Sequence, residues 1–492
     1  MTLEARRNAT TKKGPKPVPV LRATRIVATI GPRPDQQGYL EGLVRAGADL
    51  LRINGAHARR GEIASRIALI RKIETSAGKP IGVLLDLGGP KIRVGPLADG
   101  GETWKNEDRI EIVPGSGKGS GNRIFITYPA LLSDVHPGAE IRIDDGKIRL
   151  LVEKRTPHSL IARVLTGGVV KTAKGVNFPG SALSAPALTA KDRLDLAEAI
   201  QAGVDFVGLS FVRSARQVEH LRGLIDLHPE PKRPWIVAKI ERPEAVADLA
   251  AIAKASDALM VARGDLGVEV GLAAVPRLQR RILEAGRRYA VPVIVATQML
   301  ESMIENATPT RAEVSDVAGA VHDGADAVML SGETAMGAYP EEAVRTMADI
   351  AITAELPDSS DAPPKPRIPP GDFSSIVADA AVRAAASAEA AAIVVYTESG
   401  RTARLVSKAH LSIPVFAITT SDHVRRRMTI LRNVFSARIA RALSVEEMIR
   451  AGDEVLATIV PLQGRTIVEV SGAAYAEGAT NTVRLRVVGP RP

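Results

Sequence analysis

Eight short apolar runs recur along the first 331 residues, and each stops on a polar residue. They are 25–30, 50–54, 81–87, 206–211, 235–240, 258–263, 292–297 and 327–331. Strands buried on both faces read as near-continuous Val, Ile and Leu. Between most of them lie helix-like stretches, among them 190–202, 215–226, 275–289 and 311–323. Strand–helix alternation repeated in this way predicts a (β/α)8 barrel, a TIM barrel in an α/β protein. In such a barrel the chemistry sits at the C-terminal ends of the strands. Here those ends carry Arg52, Asn54, Asp86, Ser210, Lys239, Glu241, Asp265, Thr297, Ser331 and Glu333. The densest pair of ends is WIVAKIE and ALMVARGDLG, which place Lys239, Glu241, Arg263 and Asp265 at one rim. A cation beside two carboxylates suits a divalent metal and a phosphorylated substrate.

The pattern breaks once. From Arg93 to Ala182 short alternating strands (RIEIV, RIFIT, EIRID, KIRLLVE, LIARVL) are separated by Gly-rich turns. This reads as a small antiparallel β domain inserted in a βα loop, over the barrel mouth, where it can act as a lid. The barrel then comprises residues 22–92 and 183–356, and the insert 93–182. Residues 357–373 hold six prolines and read as a linker. From 374 to 492 a βα pattern resumes as a C-terminal α/β domain of regulatory type.

Composition narrows the class. The 492-residue chain is 45% hydrophobic and 24% charged and has no Cys, which excludes disulfides and thiolate metal sites and fits a cytoplasmic setting. No apolar run approaches the ~20 residues that cross a bilayer, so no membrane role is expected. Residues 1–25 carry seven Lys or Arg against Glu4, a net +6 out of the chain's +10. Residues 1–21 read as a basic, solvated, disordered tail. With only 3% aromatics the body has few surfaces on which bases could stack, and no nucleic-acid partner is expected.

Nine stretches resemble the pyruvate kinase family. They are RIVATIGP (25–32), LLRINGAH (50–57), LDLGGPKIR (85–93), KGVNFPG (174–180), AKIERPEAV (238–246), VARGDLGVE (261–269), ATQMLESM (296–303), PTRAEVSDVA (309–318) and MLSGETAMGAYP (329–340). The resemblance covers nearly the whole chain and implies phosphoryl transfer between phosphoenolpyruvate and ADP, giving pyruvate and ATP. It implies Glu241 and Asp265 as ligands of Mg2+, or of Mn2+ in its stead. Lys239 would neutralise the phosphoryl group in flight and the enolate left behind. Arg52 would hold the phosphate, with Arg93 a second arginine of the same kind. The backbone of Arg263, Gly264 and Asp265 would meet the substrate carboxylate, and Thr297 would protonate the enolate while capping a helix begun by Gln298. Ser331 would support the same rim. Asn54, His57 and Lys174 would contact the nucleotide. Thr397, Ser399, Gly400, Arg401 and Thr402 match the family's phosphate loop for a sugar-phosphate effector; AMP is the other effector class to test. The resemblance also implies a homotetramer.

One departure stands out. The potassium-dependent form of the family reads N-F-S-H and D-T-K-G-P-E. This chain has Asn54-Gly55-Ala56-His57 and Asp86-Leu87-Gly88-Gly89-Pro90-Lys91. Two hydroxyl ligands are lost, and Lys91 stands where that form has Glu. Asn54, Asp86 and Lys91 therefore read as the remnant of a monovalent-cation site that needs no K+. Two other readings stay open at this point: a catalytically dead binding protein, and another metal-dependent barrel enzyme acting on phosphoenolpyruvate or pyruvate.

Overall fold

The computed structural model describes residues 21–33, 36–230, 232–356, 368, 371–472 and 480–489. The basic tail, most of the Pro-rich linker and residues 473–479 lie outside the described residues. The chain divides into two compact units, residues 24–356 and the C-terminal part together with residues up to Ala23.

In the first unit the strands in chain order are β1 (Arg25–Ile30), β2 (Leu50–Asn54), β3 (Gly82–Asp86), β4 (Gly101–Trp104), β5 (Arg109–Pro114), β6 (Arg123–Ile126), β7 (Glu140–Ile143), β8 (Ile148–Arg155), β9 (Leu160–Thr166), β10 (Gly168–Lys171), β11 (Val176–Asn177), β12 (Phe206–Leu209), β13 (Trp235–Ile240), β14 (Ala258–Ala262), β15 (Val293–Ala296) and β16 (Ala327–Leu330). Eight of them close a barrel in the order β1-β16-β15-β14-β13-β12-β3-β2. Every neighbouring pair is parallel. The strands are buried along their lengths because helices cover the outside; Ile26, Leu51, Val83, Val207, Ile236 and Val261 belong to one continuous core. Two of the covering helices begin with reciprocal capping boxes, Thr189 with Asp192 and Thr310 with Glu313. Each box satisfies two backbone N–H groups that a helix start would otherwise leave unpaired.

The insert is a six-stranded sheet, β11-β7-β8-β9-β5-β6, plus the pair β10-β4. It is not wholly antiparallel as its alternating pattern predicts: β5 and β6 run parallel. The loop between them, 115–122, is a crossover and not a hairpin, and alternation of apolar residues cannot tell the two apart. The sheet's two outer strands are brought together by one dipeptide. Val94 bridges Ile126 at the end of β6, and Arg93 bridges Gly175, just before β11. Its interior is a separate core that includes Ile110, Ile124, Ile141, Leu150 and Phe178.

The second unit holds β17 (Ala392–Tyr396), β18 (Val415–Thr419), β19 (Val434–Arg438), β20 (Thr466–Gly472) and β21 (Thr480–Val487), in the order β19-β18-β17-β20-β21. Four strands are parallel and β21 returns antiparallel. Arg22 and Ala23, assigned to the barrel on sequence, belong with this unit. Leu21 packs against its core and the Ala23 carbonyl accepts Asn433 N–H at 2.8 Å.

Candidate active site

Side chains alternate across a strand, so Lys239 and Glu241 lie on the same side of the chain at the end of β13. Lys239 is buried. Its Nζ donates to Ser210 Oγ at 2.9 Å and lies 2.8 Å from Glu241 Oε1 and 3.3 Å from Asp86 Oδ1. Asp86 ends β3 and faces Gly208 of β12 in register. A Cβ at position 208 would come within 3.0 Å of Asp86 Oδ1, so glycine leaves room for this carboxylate. Asp86 Oδ2 accepts Arg52 Nε at 2.9 Å, while Arg52 Nη1 donates to Thr29 Oγ1 at 3.0 Å.

Asp86 is therefore the hub of the cluster, with Lys239 and Arg52 on opposite oxygens. Burial alone would raise its pKa; the two cations reverse this and hold it at about 2. Burial likewise works against the Lys239 ammonium, but Asp86 and Glu241 outweigh it and push the group above an ordinary lysine. The other two carboxylates go the opposite way. Burial raises Glu241, and Asp265 adds to the rise against the pull of Lys239. Burial raises Asp265 too, against Lys239 and Lys91.

Glu241 Oε2 accepts Phe211 N–H at 2.6 Å, but its buried Oε1 makes no hydrogen bond among the described residues. At 2.8 Å that oxygen is ion-paired with Lys239 without hydrogen-bond alignment. Two proton-hungry carboxylates, Glu241 buried and Asp265 half-buried at a cavity, fit a hard divalent cation. Among the described residues no group of three or more His, Asp or Glu could hold a metal. An ion here would draw its remaining ligands from substrate and water.

Asp265 lies in the first turn of the helix Arg263–Val270 and, with Lys91, Arg93, Phe211 and Asn177, lines a cavity of about 210 Å³. Lys91 is exposed as a residue, yet desolvation in the cleft and the charge of Lys239 lower its pKa, opposed by Asp265 and Asp86. Among the described residues Lys91 makes no ion pair. Arg93 Nη1 donates to the Ala173 carbonyl at 2.8 Å. Asn54 Oδ1 accepts Ala56 N–H at 3.1 Å. Next to it His57 is exposed, and partial burial with the Lys91 and Arg93 charges lowers its pKa. Lys174 pairs with Asp144 of the insert at 2.8 Å.

Two expectations need correction. Gln298 does not begin a helix, so Thr297 caps none: both have positive φ, 71° and 53°. Thr297 Oγ1 instead accepts Gly264 N–H at 2.8 Å and donates to the Ala296 carbonyl at 2.6 Å. The Gly264 amide is thus engaged within the protein. The Arg263 guanidinium is committed as well, to the Thr297 carbonyl at 2.8 Å and to Asp316 at 2.7 Å. Ser331 Oγ, by contrast, is buried without a hydrogen bond among the described residues. Glu333 faces inward and accepts Ser331 N–H at 2.7 Å and Leu300 N–H at 3.1 Å.

In the C-terminal unit the loop 397–402 is internally bonded. Thr397 Oγ1 accepts Gly400 N–H at 3.0 Å, and Arg401 N–H reaches Ser399 Oγ at 3.5 Å. Arg401 Nη1 pairs with Asp372 at 2.6 Å, and Thr402 Oγ1 lies 2.7 Å from Thr480 Oγ1. Gly400 has φ 81°, a conformation glycine adopts without strain.

Thr29 and Phe211 have no place in the sequence reading of the site, and Ser210 enters it only as a strand-end residue without a role. The available signal was a polar residue inside or just after an apolar run; the Phe211 contribution is a backbone N–H and leaves no side-chain signal.

Barrel, inserted sheet and a lysine ringed by carboxylates at the strand ends define an α/β-barrel enzyme with its chemistry at the C-terminal rim. Known proteins make the class specific. Residues 21–344 match the family model "Pyruvate kinase, barrel domain" and residues 375–486 match "Pyruvate kinase, alpha/beta domain". The pyruvate kinase of Mycobacterium tuberculosis is 40% identical over 470 residues, covering 95% of this chain and 99% of its own. That of Corynebacterium glutamicum is 40% identical over 474 residues, covering 95% and 98%. A crystal structure of a pyruvate kinase from Cryptosporidium parvum superposes with a TM-score of 0.87 at 31% identity, covering 95% and 96%. The chain belongs to the pyruvate kinase family.

Proposed function

We propose that this chain transfers the phosphoryl group of phosphoenolpyruvate to ADP, with Mg2+ and without K+. The observation that carries the reading is the buried Lys239 ammonium held between Asp86 and Glu241, beside the cavity lined by Asp265. Phosphoryl transfer asks the protein for positioning and charge neutralisation more than for covalent chemistry.

Arg52 binds the phosphate of the substrate. Its guanidinium has five N–H donors. Three go to Asp86 and Thr29, which leaves one on each terminal nitrogen for a phosphoryl oxygen. Arg93 adds a second cation at the same mouth. Lys239 supplies the fixed charge that balances the moving phosphoryl group and the enolate oxygen. Glu241 and Asp265 would hold the Mg2+, which supplies Lewis-acid polarisation of phosphoryl and carboxylate oxygens. The backbone amides of Arg263 and Asp265, together with Ser331 Oγ, position the substrate carboxylate end. The Thr297 hydroxyl relays a proton to the enolate carbon, turning from the Ala296 carbonyl to deliver its own and taking a replacement from water. Asn54, His57 and Lys174 take the nucleotide. The inserted sheet acts as a lid that excludes water.

Potassium independence rests on ligand loss and on charge. Ala56 and Leu87 offer no side-chain oxygen. The two oxygen ligands that remain are already used, Asn54 by Ala56 N–H and Asp86 by Arg52 and Lys239. Lys91, without an ion-pair partner among the described residues, provides the positive charge in place of K+. The proposal extends to a cytoplasmic homotetramer and to an effector phosphate at Thr397–Thr402, on family likeness alone.

The test is a coupled assay of pyruvate formation from phosphoenolpyruvate, ADP and Mg2+, in buffer whose only monovalent cation is bulky and organic. Pyruvate forms, chelation abolishes it, and KCl at constant ionic strength leaves the rate unchanged. No pyruvate from folded protein overturns the activity. Many-fold activation by KCl overturns the cation reading alone.

A further inference from the structure

The last turn of the helix Arg263–Val270 takes two hydrogen bonds from side chains of the inserted sheet. Arg142, on β7, donates from Nη1 to the Val268 carbonyl. Asn177, on β11, donates from Nδ2 to Glu269 Oε1 at 3.0 Å. Glu269 is buried, and Arg242 Nη1 lies 3.4 Å from the same oxygen. Its Oε2 makes no hydrogen bond among the described residues. A buried carboxylate so sparsely satisfied is costly, and Asn177 and Arg242 are what offset the cost.

Asp265 lies four residues before Glu269 on this helix, which puts the two on one face, a turn apart. The helix has eight residues, about 12 Å at 1.5 Å per residue. So short a segment transmits a displacement and does not absorb it. Its first turn carries a carboxylate that faces the cavity, and its last turn is held by two residues of the insert.

We propose that Glu269 is a positioning residue that registers the inserted sheet against Asp265, so that divalent-metal affinity depends on Asn177 and Arg142, neither of them a ligand. The inference rests on the reading of Asp265 as a metal ligand. It means that lid and metal site are set together. A lid that lets go of Glu269 frees the helix and with it one of the two carboxylates.

The test measures Mn2+ binding to the full chain without substrate, from the electron paramagnetic resonance of free Mn2+, together with the thermal midpoint. Asn177→Ala changes no charge, so electrostatics does not confound it. It should weaken Mn2+ binding about tenfold, as losses of outer-shell partners do. Glu269→Gln should weaken binding as well, and the double variant should lose less than the two single effects combined. A merely structural role predicts a lower thermal midpoint with unchanged Mn2+ affinity, and that result overturns the proposal. If Asn177→Ala does not fold, Arg142→Lys, which keeps the charge but loses the guanidinium reach to the Val268 carbonyl, carries the same expectation. Asp265→Asn separates the two levels. If it binds Mn2+ like the parent, the metal reading itself is wrong. If it loses Mn2+ while Asn177→Ala keeps it, only the present inference falls.

Discussion

Two buried charge clusters invite comparison, one at the barrel mouth and one in the C-terminal unit. In the second, Arg486 Nη2 donates to Asp453 Oδ1 at 2.5 Å and to Glu469 Oε1 at 2.7 Å. Tyr396 lies in the same cluster, and burial together with Glu469 pushes its hydroxyl pKa up. Both clusters contain orphaned buried atoms, Glu241 Oε1 in one, Tyr396 Oη and Glu469 Oε2 in the other. The difference is closure. A Cβ added at Gly452 would meet Tyr396 Oη at 2.3 Å, so the helix Val445–Ile459 is pressed onto the ring. The barrel cluster instead borders a cavity that Asp265 lines, and two of its carboxylates, Glu241 and Asp265, are raised while Asp86 is lowered. Burial and charge alone do not make a site; unsatisfied charge beside open space does.

Substitutions should separate the two clusters by what they damage. Lys239→Met should give the largest effect. It is expected to lower kcat about 10²–10³-fold or more, because a preorganised charge is lost where charge develops. The KM for phosphoenolpyruvate should change less, and steady-state kinetics checks the split. Arg486→Met should do the reverse. It leaves two carboxylates facing each other and should cost about 3 kcal/mol, the low end for a broken buried pair because Asp453 is partly solvated. Chemical denaturation followed in the C-terminal unit reads that loss, and kcat at saturating substrate should hold. Equal damage to both readouts from either change would erase the distinction.

A pH series sharpens it further. Asp86 has a folded-state pKa of about 2, below its unfolded value near 4, so it stabilises the barrel above that window and the contribution fades as pH falls from about 4 toward 2. Glu241 and Asp265 are raised, so the metal-free barrel loses stability as pH rises through the range above about 4. Mg2+ should cancel that second loss, since metal and proton compete for the same oxygens. Thermal midpoints with Mg2+ and with chelator should therefore diverge as pH rises; parallel curves would remove the carboxylates from the metal site. The smallest expected effect is regulatory. Ser399→Asp should abolish any response to sugar phosphates or AMP by repelling the phosphate, while basal kinetics stay the same. Calorimetry with the parent chain showing no binding would dispose of that site.

Much of this was legible in the residues. The run WIVAKIE fixed both the strand and the placement of Lys239 and Glu241 on one side of it. The insert was visible because apolar periodicity changes from runs to alternation after Arg93. What the sequence could not show was connectivity among polar groups. Asp86 reads as a cation-site remnant, yet it holds the two principal cations. Arg263 enters the sequence reading only through its backbone, and nothing there shows that its side chain is spent on the Thr297 carbonyl and Asp316. Both outcomes depend on which strand ends stand beside each other in the sheet, a property of strand order that no local pattern encodes. The parallel pairing of β5 with β6 escaped for the same reason.

The left-handed pair Thr297 and Gln298 has a consequence for anyone seeking to improve the protein. Two adjacent side-chain-bearing residues at positive φ cost of order 1–3 kcal/mol each, and the Arg263 guanidinium braces them through the carbonyls of both. Gln298→Gly is thus an obvious thermostabilising substitution by backbone logic. It is also one that a screen for activity should discard. The glycine would relax the turn that aims the Thr297 hydroxyl, trading a harder-to-melt barrel for a proton donor that no longer keeps its bearing.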